Sequence, residues 1–271
     1  MKVVKRNGDK SELQFDEITN KIKTLANKEP KLNIDVGLLA REVISLIYDG
    51  ITTSELDEFT ASTAASLSLY NNDYNILAGR IIVNNHIKNT PFSFSEAMLK
   101  LDYIISDSIL KLCREVPEKL NGIICEERDY LISYFGFTTL YKSYLLRLKE
   151  VDSKKVKKVI ERPQFLFLRV ALGIHVNNEN PLSTDFEKVK NTYDLLSTKC
   201  MTHATPTLFN AGTKFSQMSS CFLIGTEDSV TGIYKTISDV AQISKWAGGI
   251  GVHISNIRAE NSLIAKTNEI T

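Results

Sequence analysis

The sequence has few cysteines, and their spacing does not form a familiar zinc or disulfide framework. There are four cysteines among 271 residues, and no two of them form a C-x-x-C pair. This argues against a zinc ribbon or finger and against a small disulfide-linked secreted domain. For three of them, burial as small apolar side chains is the expectation; these are Cys113, Cys125 and Cys200.

Long apolar runs and an excess of one charge sign are also missing. No segment is apolar over the roughly 20 residues that a membrane-spanning helix needs, and the start MKVVKRNGDK has no signal-peptide core. The 33 basic and 32 acidic side chains give a net charge of +1. The composition therefore predicts a cytoplasmic protein and indicates neither a membrane nor a nucleic-acid partner.

The first ninety residues predict a short hairpin followed by helices. MKVVKRNGDKSELQF alternates apolar and polar residues around Asn7-Gly8, which is typical of a two-residue turn. Helical spacing follows in FDEITNKIKTLANK, with Asp16 as a candidate cap, and in VGLLAREVISLIYDG, ending at Gly50. TTSELDEFTASTAASLSLY, with Thr53 as a candidate cap, and DYNILAGRIIVNNHIKNT predict two more helices.

The remaining chain predicts a mainly helical region and then alternating strand and helix. SSCFLIG, SVTGIYKTISDVAQISKWA and VHISNI predict a β-α-β unit, which is the opening of a larger α/β barrel or sheet. Two or three strands leave such a sheet unclosed. The basic stretch Lys154 to Lys158 has no interleaved aromatic residues, which favours a solvated face or a hairpin turn over nucleic-acid binding.

Three local patterns each allow a chemical and a structural interpretation. The glycines of KWAGGIGVHIS either seat a phosphate against free amides or cap a helix before a strand. Cys221 is either a small apolar side chain or a reactive thiol; nearby in sequence, His203 would raise its thiolate content or be structural. Lys5 and Arg6 on the hairpin, with Lys88, suit a triphosphate but are also ordinary surface charges.

Longer segments resemble the large catalytic subunit of class I ribonucleotide reductase, of the eukaryotic or viral type. The resemblance rests on THATPTLFNAGTKFSQMSSCFL and GIYKTISDVAQISKWAGGIGVHISNIRA, and in the middle on YFGFTTL, SYLL, ERPQ and RVALGIH. VVKRNG, FDEIT, GITTSELD and DYNILAGRI resemble that family's ATP-cone. The resemblance to this family implies an α/β protein with three parts. Residues 1–92 would be an ATP-cone (a β-hairpin lid on a helix bundle), residues 93–200 a mainly helical region, and residues 201–271 the incomplete first part of a ten-stranded α/β barrel.

The resemblance implies a reductive site. Cys221 matches one of two redox-active cysteines that reduce the ribose of a ribonucleoside diphosphate and finish the turnover as a disulfide. Thr205, Ser220 and Gly249 match positions that hold the substrate, the last in a loop near its phosphates.

The resemblance also implies two effector sites, with magnesium accompanying the nucleotides. ATP would activate and dATP would inhibit at an activity site, through a change of oligomer. Its residues would be Lys5, Arg6, Ser11, Glu12, Leu13, Gln14, Phe15, Asp16, Glu17, Thr53, Asp57 and Lys88. A specificity site for deoxynucleoside triphosphates at a dimer interface would use Asp228, Ser229, Val230, Lys245, Arg258, Ala265 and Lys266.

The family's partners and the departures from its pattern complete the expectation. The implied partners are a radical-generating small subunit, which holds the radical cofactor, further copies of the chain in a homodimer or higher oligomer, and thioredoxin or glutaredoxin; no metal is expected in this chain. Where the family reads Ala-x-Gly-Ser and then Gly-Thr-Asn-Gly, this chain has AENSLIAKTNEIT, so that Asn261, Lys266 and Glu269 replace glycines. This places communication between effector and substrate in doubt.

The family continues for several hundred residues past this point, and that part carries the radical cysteine and the partner of Cys221. We therefore expect residues 1–271 to be inactive alone, and to need a continuing reading frame or a separate C-terminal half. Two other hypotheses for the function of this chain remain. One is a non-catalytic ATP- or dATP-binding regulatory module, although the transcriptional regulators with such cones carry a zinc ribbon that this sequence lacks. The other is a degenerate remnant.

Overall fold

The computed structural model describes residues 1–149, 158–246 and 248–262. It is mostly helical, with two separate pairs of short strands. The strands are β1 (Lys2–Val4), β2 (Lys10–Glu12), β3 (Cys221–Gly225) and β4 (Gly249–His253). The helices are α1 (Phe15–Ala26), α2 (Val36–Ser45), α3 (Thr53–Ser66), α4 (Asp73–Lys88), α5 (Phe94–Lys100), α6 (Asp107–Glu115), α7 (Pro117–Asn121), α8 (Tyr134–Thr139), α9 (Pro163–His175), α10 (Phe186–Ser197), α11 (Thr205–Asn210) and α12 (Val230–Lys245).

The predicted hairpin is confirmed. β1 and β2 pair antiparallel, with Val3 opposite Ser11. Gly8 has a φ of +89°, and the Asn7 side chain accepts a hydrogen bond from the Asp9 amide at 3.1 Å. Left-handed backbone is inexpensive for glycine, and an asparagine before it stabilises such a turn through its own side chain.

Four helices follow the hairpin as predicted, but both predicted caps are wrong. Gln14 is the N-cap residue of α1 and makes no side-chain capping bond, so Asp16 lies within the first turn. At α3 the cap is Thr52 rather than Thr53: its hydroxyl accepts from the Glu55 amide at 3.1 Å, and the Glu55 carboxylate accepts from the Thr52 amide at 2.9 Å. This reciprocal capping box selects the threonine that has a glutamate three residues later.

A common apolar core joins the first four helices. Its most buried members include Ile22, Leu39, Ile51 and Leu77. Arg80 on α4 is buried among them and donates to the carbonyl oxygens of residues 25, 28 and 30 at 2.8 to 3.0 Å, which satisfies part of its charge with backbone dipoles. The second helix ends at Ser45, earlier than the predicted end at Gly50.

The middle of the chain forms a second helical core, and its cysteines differ in burial. Cys113 lies in this core, where burial raises the pKa of its thiol to about 12, which confirms its expected packing role. Cys125 is half-buried, and Cys200 is exposed, so the expectation of burial is wrong for Cys200. Cys200 directly follows Lys199, whose positive φ of 64° turns the chain at the end of α10.

The basic stretch lies mostly outside the described residues. On either side of 150–157 the backbone pairs antiparallel, with the Leu148 amide donating to the Lys158 carbonyl at 2.9 Å and a bridge between Arg147 and Val159. None of the helices in the described ranges has the length and apolar character needed to cross a membrane.

The predicted β-α-β unit is present. β3 and β4 are parallel neighbours, and α12 connects them. Gly249 and Gly251 lie within β4 rather than in a loop, which corrects the expectation for Gly249. The described part of this unit is a two-stranded sheet without closure, and Leu223 on it is 93% exposed.

Asp129 is a buried carboxyl group in the segment that packs against α4 and α9. The side chain is buried, and no hydrogen bond of good geometry reaches either carboxylate oxygen from the described residues, although the backbone and side chain of Gln164 lie close enough to favour its charged form. Burial raises the pKa of Asp129 from 3.8 to about 7, against the opposing effect of the Arg162 charge. The folded state therefore holds this proton more tightly than the unfolded chain, so this group's contribution to stability falls as the pH rises from about 4 to about 7.

Replacing Asp129 by asparagine is expected to remove that loss and to stabilise the protein at pH 8 by roughly 2–4 kcal/mol, with little effect at pH 4. Urea denaturation of both proteins across this range measures it. The difference between the two curves is the relevant quantity, because His86, whose pKa burial lowers to about 4, titrates in the same range with the opposite sign. A difference independent of pH, or equal to that of the exposed-site control Asp107→Asn, would contradict the prediction.

Candidate functional site

Arg6 connects the hairpin to two helices of the N-terminal core. Its guanidinium donates to the carboxylate of Asp57 on α3 at 3.0 Å and to the amide oxygens of Asn85 on α4 and of Asn89, the C-cap residue of α4, at 2.5 and 3.2 Å. A longer contact of 3.5 Å reaches the hydroxyl of Thr53. Three of the predicted activity-site residues therefore meet through one side chain.

Asp57 is buried and uses both carboxylate oxygens, one for Arg6 and the other for Lys21 on α1. Burial lowers the pKa of Lys21, the charges of Lys88 and Arg6 lower it further, and Asp57 opposes this. Arg6 and Lys21 thus contact one carboxylate, and Lys88 lies near enough for its charge to act on Lys21. We call these four residues the Asp57 cluster; its excess of positive charge suits a phosphate group.

The other predicted activity-site residues border this cluster in the chain. Lys5 is exposed beside Arg6, Ser11 and Glu12 lie in β2, Leu13 and Gln14 join β2 to α1, and Phe15, Asp16 and Glu17 form the first turn of α1. Their side chains make no hydrogen bond or ion pair with the Asp57 cluster in the described structure. They belong to the hairpin and helix start that supply Arg6 and Lys21.

Sequence reasoning missed three residues here: Lys21, Asn85 and Asn89. Lys21 lies three residues after the buried Ile18 and one turn after Glu17, on the half-buried side of α1. Asn85 lies in the last turn of α4 and Asn89 is its C-cap residue, four positions further on, so the two share a face. Asparagine is a poor helix former, so this pair near the end of a segment with helical spacing is the sequence signal that could have identified them as functional candidates.

Arg6 and its partners Asp57, Asn85 and Asn89 form what we call the Arg6 network, and the cavities on its two sides differ in volume. Next to Asp57, between α1 and α3, the cavity is only about 20 Å³. On the other side of Asn85 and Asn89, a cleft of about 500 Å³ lies against Tyr134, Phe137 and Tyr141. A nucleotide seated at Asp57 therefore requires the hairpin and its arginine to move.

Three of the four residues predicted for the reductive site lie together at the start of the parallel strands. Cys221 and Gly249 are register partners, and the Gly249 amide donates to the Ser220 carbonyl at 2.7 Å. The Ser220 hydroxyl lies 3.6 Å from the Cys221 sulfur, and this thiol is exposed. The starts of the two strands thus bring together the Cys221 thiol, the Ser220 hydroxyl and Gly249, which has no side chain.

Thr205 belongs to a neighbouring element. It is the first residue of α11, and its hydroxyl is 3.1 Å from that of Tyr144. No hydrogen bond joins it directly to Cys221. His203 is half-buried, and its Nε2 has no partner in the described structure; it makes no contact with the Cys221 thiol by hydrogen bonding.

The predicted specificity-site residues fall into two groups at opposite ends of α12. Asp228 pairs with Arg258 at 2.9 Å, the Ser229 hydroxyl caps α12 by accepting from the Gly232 amide at 3.0 Å, and Val230 is exposed beside them. Lys245 is the last residue of α12, about 22 Å further along the helix axis.

The segment after Arg258 is only partly described. Asn261 has a φ of +67°, so the residue that replaces a family glycine does occupy left-handed backbone, which asparagine tolerates better than most residues. Ala265, Lys266 and Glu269 lie outside the described residues. Within the described ranges, no group of three or more histidine, cysteine, aspartate or glutamate side chains is arranged to hold a metal ion.

Comparison with known proteins gives three consecutive matches. Residues 1–89 match the ATP cone domain, residues 130–216 the ribonucleotide reductase all-alpha domain, and residues 219–271 the ribonucleotide reductase barrel domain. The two ribonucleotide reductase models together cover more than half of the chain.

Similar proteins are longer than this chain. The ribonucleoside-diphosphate reductase large subunit of Variola virus is 46% identical over 280 residues, which covers 99% of this chain and 34% of the viral protein. Large chain 2 of the Saccharomyces cerevisiae enzyme is 45% identical over 280 residues, covering 99% of this chain and 31% of the yeast protein. The chain thus spans about a third of the length of the curated relatives it matches.

Proposed function

The chain belongs to the family of ribonucleotide reductase large subunits, and we propose that it forms the N-terminal part of a ribonucleoside-diphosphate reductase large subunit. In this proposal residues 1–92 are the effector-binding ATP-cone, 93–200 a helical support, and 201–271 the start of the catalytic barrel. The adjacency of Cys221, Ser220 and Gly249 at the start of two parallel strands supports it most directly.

The proposed chemistry assigns Cys221 the role of a reductant. Its thiol and a second thiol would lose two protons and two electrons as they form a disulfide. One proton would leave with the ribose 2′-hydroxyl as water, and the other proton with the two electrons would form the new C2′–H bond. In line with the resemblance, the second thiol is assigned to the part of the family's chain that follows these residues; the four cysteines of residues 1–271 are unpaired in the structure. The radical that starts the reaction is assigned to a small-subunit partner. Ser220 and Thr205 would hold the substrate by their hydroxyls.

The proposed effector chemistry centres on the Asp57 cluster. Lys88 and Lys21 would bind the phosphates of ATP or dATP, and Asp57 would accept from the sugar once Arg6 leaves it. Nucleotide and Arg6 therefore compete for one carboxylate. Nucleotide binding would therefore move the hairpin, because its arginine would turn from Asp57 toward the phosphates.

We also propose that the specificity site is shared between two copies of the chain. Lys245, expected at the effector's phosphates, is too far along α12 from Asp228, expected at its sugar, for both to bind one nucleotide within one copy. Residues 230, 233, 234 and 237 form an exposed apolar stripe on this helix, at the spacing that suits packing against a second helix. Antiparallel packing of two such helices would bring the lysine of one copy to the aspartate of the other.

Calorimetry on the full 271-residue chain tests the effector assignment. ATP and dATP are expected to bind, and Lys88→Ala should weaken binding by about 1–3 kcal/mol, the range for a hydrogen bond to a charged group. Lys100→Ala removes another exposed lysine, whose partner is Glu96 rather than a member of the cluster, and should leave affinity unchanged. No binding heat at millimolar nucleotide, or equal effects of the two substitutions, would refute the assignment.

A further inference from the structure

A fully buried ion pair lies between α4 and the end of α11. The Arg169 guanidinium donates to the Glu161 carboxylate in a two-point contact, with distances of 2.6 and 3.3 Å. Both side chains have no exposure to solvent. The carboxylate also accepts from the Leu146 amide at 2.9 Å. A buried pair with this geometry is held rigidly, because each lost contact would leave a charge without compensation.

The rest of the guanidinium is used on the end of α11. Arg169 donates to the carbonyl oxygens of Ala211 at 2.7 Å, Leu208 at 3.1 Å and Phe209 at 3.5 Å. The last carbonyls of a helix have no partner within the helix, so an arginine placed there fixes its end. The pair therefore sets the position of α11, the helix that begins at Thr205.

Two side chains of α11 hold the segment that leads into β3. The Thr207 hydroxyl donates to the Met218 carbonyl at 3.1 Å, and the Asn210 amide donates to the Gln217 carbonyl at 2.6 Å. Met218 is three residues before Cys221. A continuous series of hydrogen bonds thus runs from Glu161 to the backbone beside the exposed thiol.

The same glutamate is held from the other side by α4. His86 forms a 2.8 Å hydrogen bond from Nε2 to the Glu161 carbonyl. Burial lowers the pKa of His86 to about 4, so the ring is neutral, and since a carbonyl only accepts, Nε2 carries the proton. His86 is one residue from Asn85, which binds Arg6.

We propose that Glu161 and Arg169 are positioning residues that align α11 and the Cys221 segment, and that His86 links this alignment to the Arg6 network. The proposal rests on the proposed function for the roles of Cys221 and of the nucleotide. It gives effector binding a route to the reductive site within one copy of the chain, in addition to any change of oligomer.

The first test cuts the series at α11 without disturbing the buried charges. Thr207→Val keeps the side-chain shape and removes the hydroxyl that holds Met218. In the full chain, alkylation of Cys221 by iodoacetamide, resolved by mass spectrometry, should change roughly 2- to 10-fold, the ratio that one net hydrogen bond represents. Alkylation of exposed Cys200 is the internal reference, and Thr24→Val on α1 is the matched control. A Cys221 rate equal to that of the unchanged chain would overturn the positioning role.

The second test addresses the link to the N-terminal helices. His86→Phe retains a ring against Phe137, whose centroid lies 5.3 Å away, and removes the bond to Glu161. Saturating ATP should change the Cys221 alkylation rate in the unchanged chain but not in this variant, while calorimetry gives the two the same affinity. ATP that binds without affecting Cys221, or that affects both proteins alike, would overturn the link. Absence of ATP binding would instead refute the effector function and, with it, this link, while the Thr207→Val result still decides the positioning role.

Discussion

Glu161→Gln is expected to lower the free energy of unfolding by about 3–5 kcal/mol, the usual cost of removing one member of a buried ion pair. Glutamine has nearly the same shape as glutamate but no charge, so the Arg169 guanidinium would remain fully buried without compensation. Urea denaturation followed by circular dichroism at neutral pH measures the change.

The matched control is Glu96→Gln, which breaks a surface pair with Lys100 at 2.7 Å. Exposed pairs of this kind contribute about 0–1 kcal/mol, so the two substitutions differ in burial and not in chemistry. The double variant Glu161→Gln/Arg169→Met should recover part of the loss, because it removes the isolated charge. Equal midpoints for Glu161→Gln and Glu96→Gln would show that the buried pair contributes no more than a surface one.

The sequence alone predicted those elements of the structure that depend on residues close together in the chain. The Asn7-Gly8 turn, the four N-terminal helices and the β-α-β order all follow from local periodicity and turn chemistry. The caps were placed wrongly because adjacent residues compete for them: Thr52 prevails over Thr53 through its reciprocal bonds with Glu55. A one-residue choice of this kind depends on backbone geometry that periodicity does not contain.

The site could be predicted only in part, since its contacts join distant parts of the chain. Lys21 meets Asp57 across 36 residues, and Arg6 meets Asn85 across 79. No local pattern encodes such pairs, and a lysine or asparagine on a helix is ordinarily a solvated side chain. The resemblance to a family supplied Arg6, Thr53 and Asp57, which the structure joins. Glu161 and Arg169 begin the segments ERPQ and RVALGIH that carry the resemblance, but it assigned neither of them a role.

Cys221→Ser is expected to abolish repeated turnover in an active form of the enzyme. A suitable form is a chimera in which residues 1–271 replace the aligned third of the Saccharomyces cerevisiae large chain, assayed with a radical-generating small subunit and a dithiol reductant. Serine is nearly isosteric with cysteine but cannot be oxidised to a disulfide, so the two-electron reduction of the ribose would lack one of its thiols. Deoxyribonucleoside diphosphate formed per chain, followed through many turnovers, is the measurement.

Cys200→Ser in the same chimera is the control, because Cys200 is also exposed and, among the described residues, its sulfur accepts a hydrogen bond from the Thr198 hydroxyl at 3.3 Å, outside the reductive site. The control should retain the turnover of the parent chimera, while Cys221→Ser falls to less than one product per chain. Breakdown of substrate without deoxynucleotide would further indicate that the radical forms and then meets no reductant. Steady production by Cys221→Ser at the rate of the control would mean that this thiol only packs at the start of its strand, and the reductant role would have to be withdrawn.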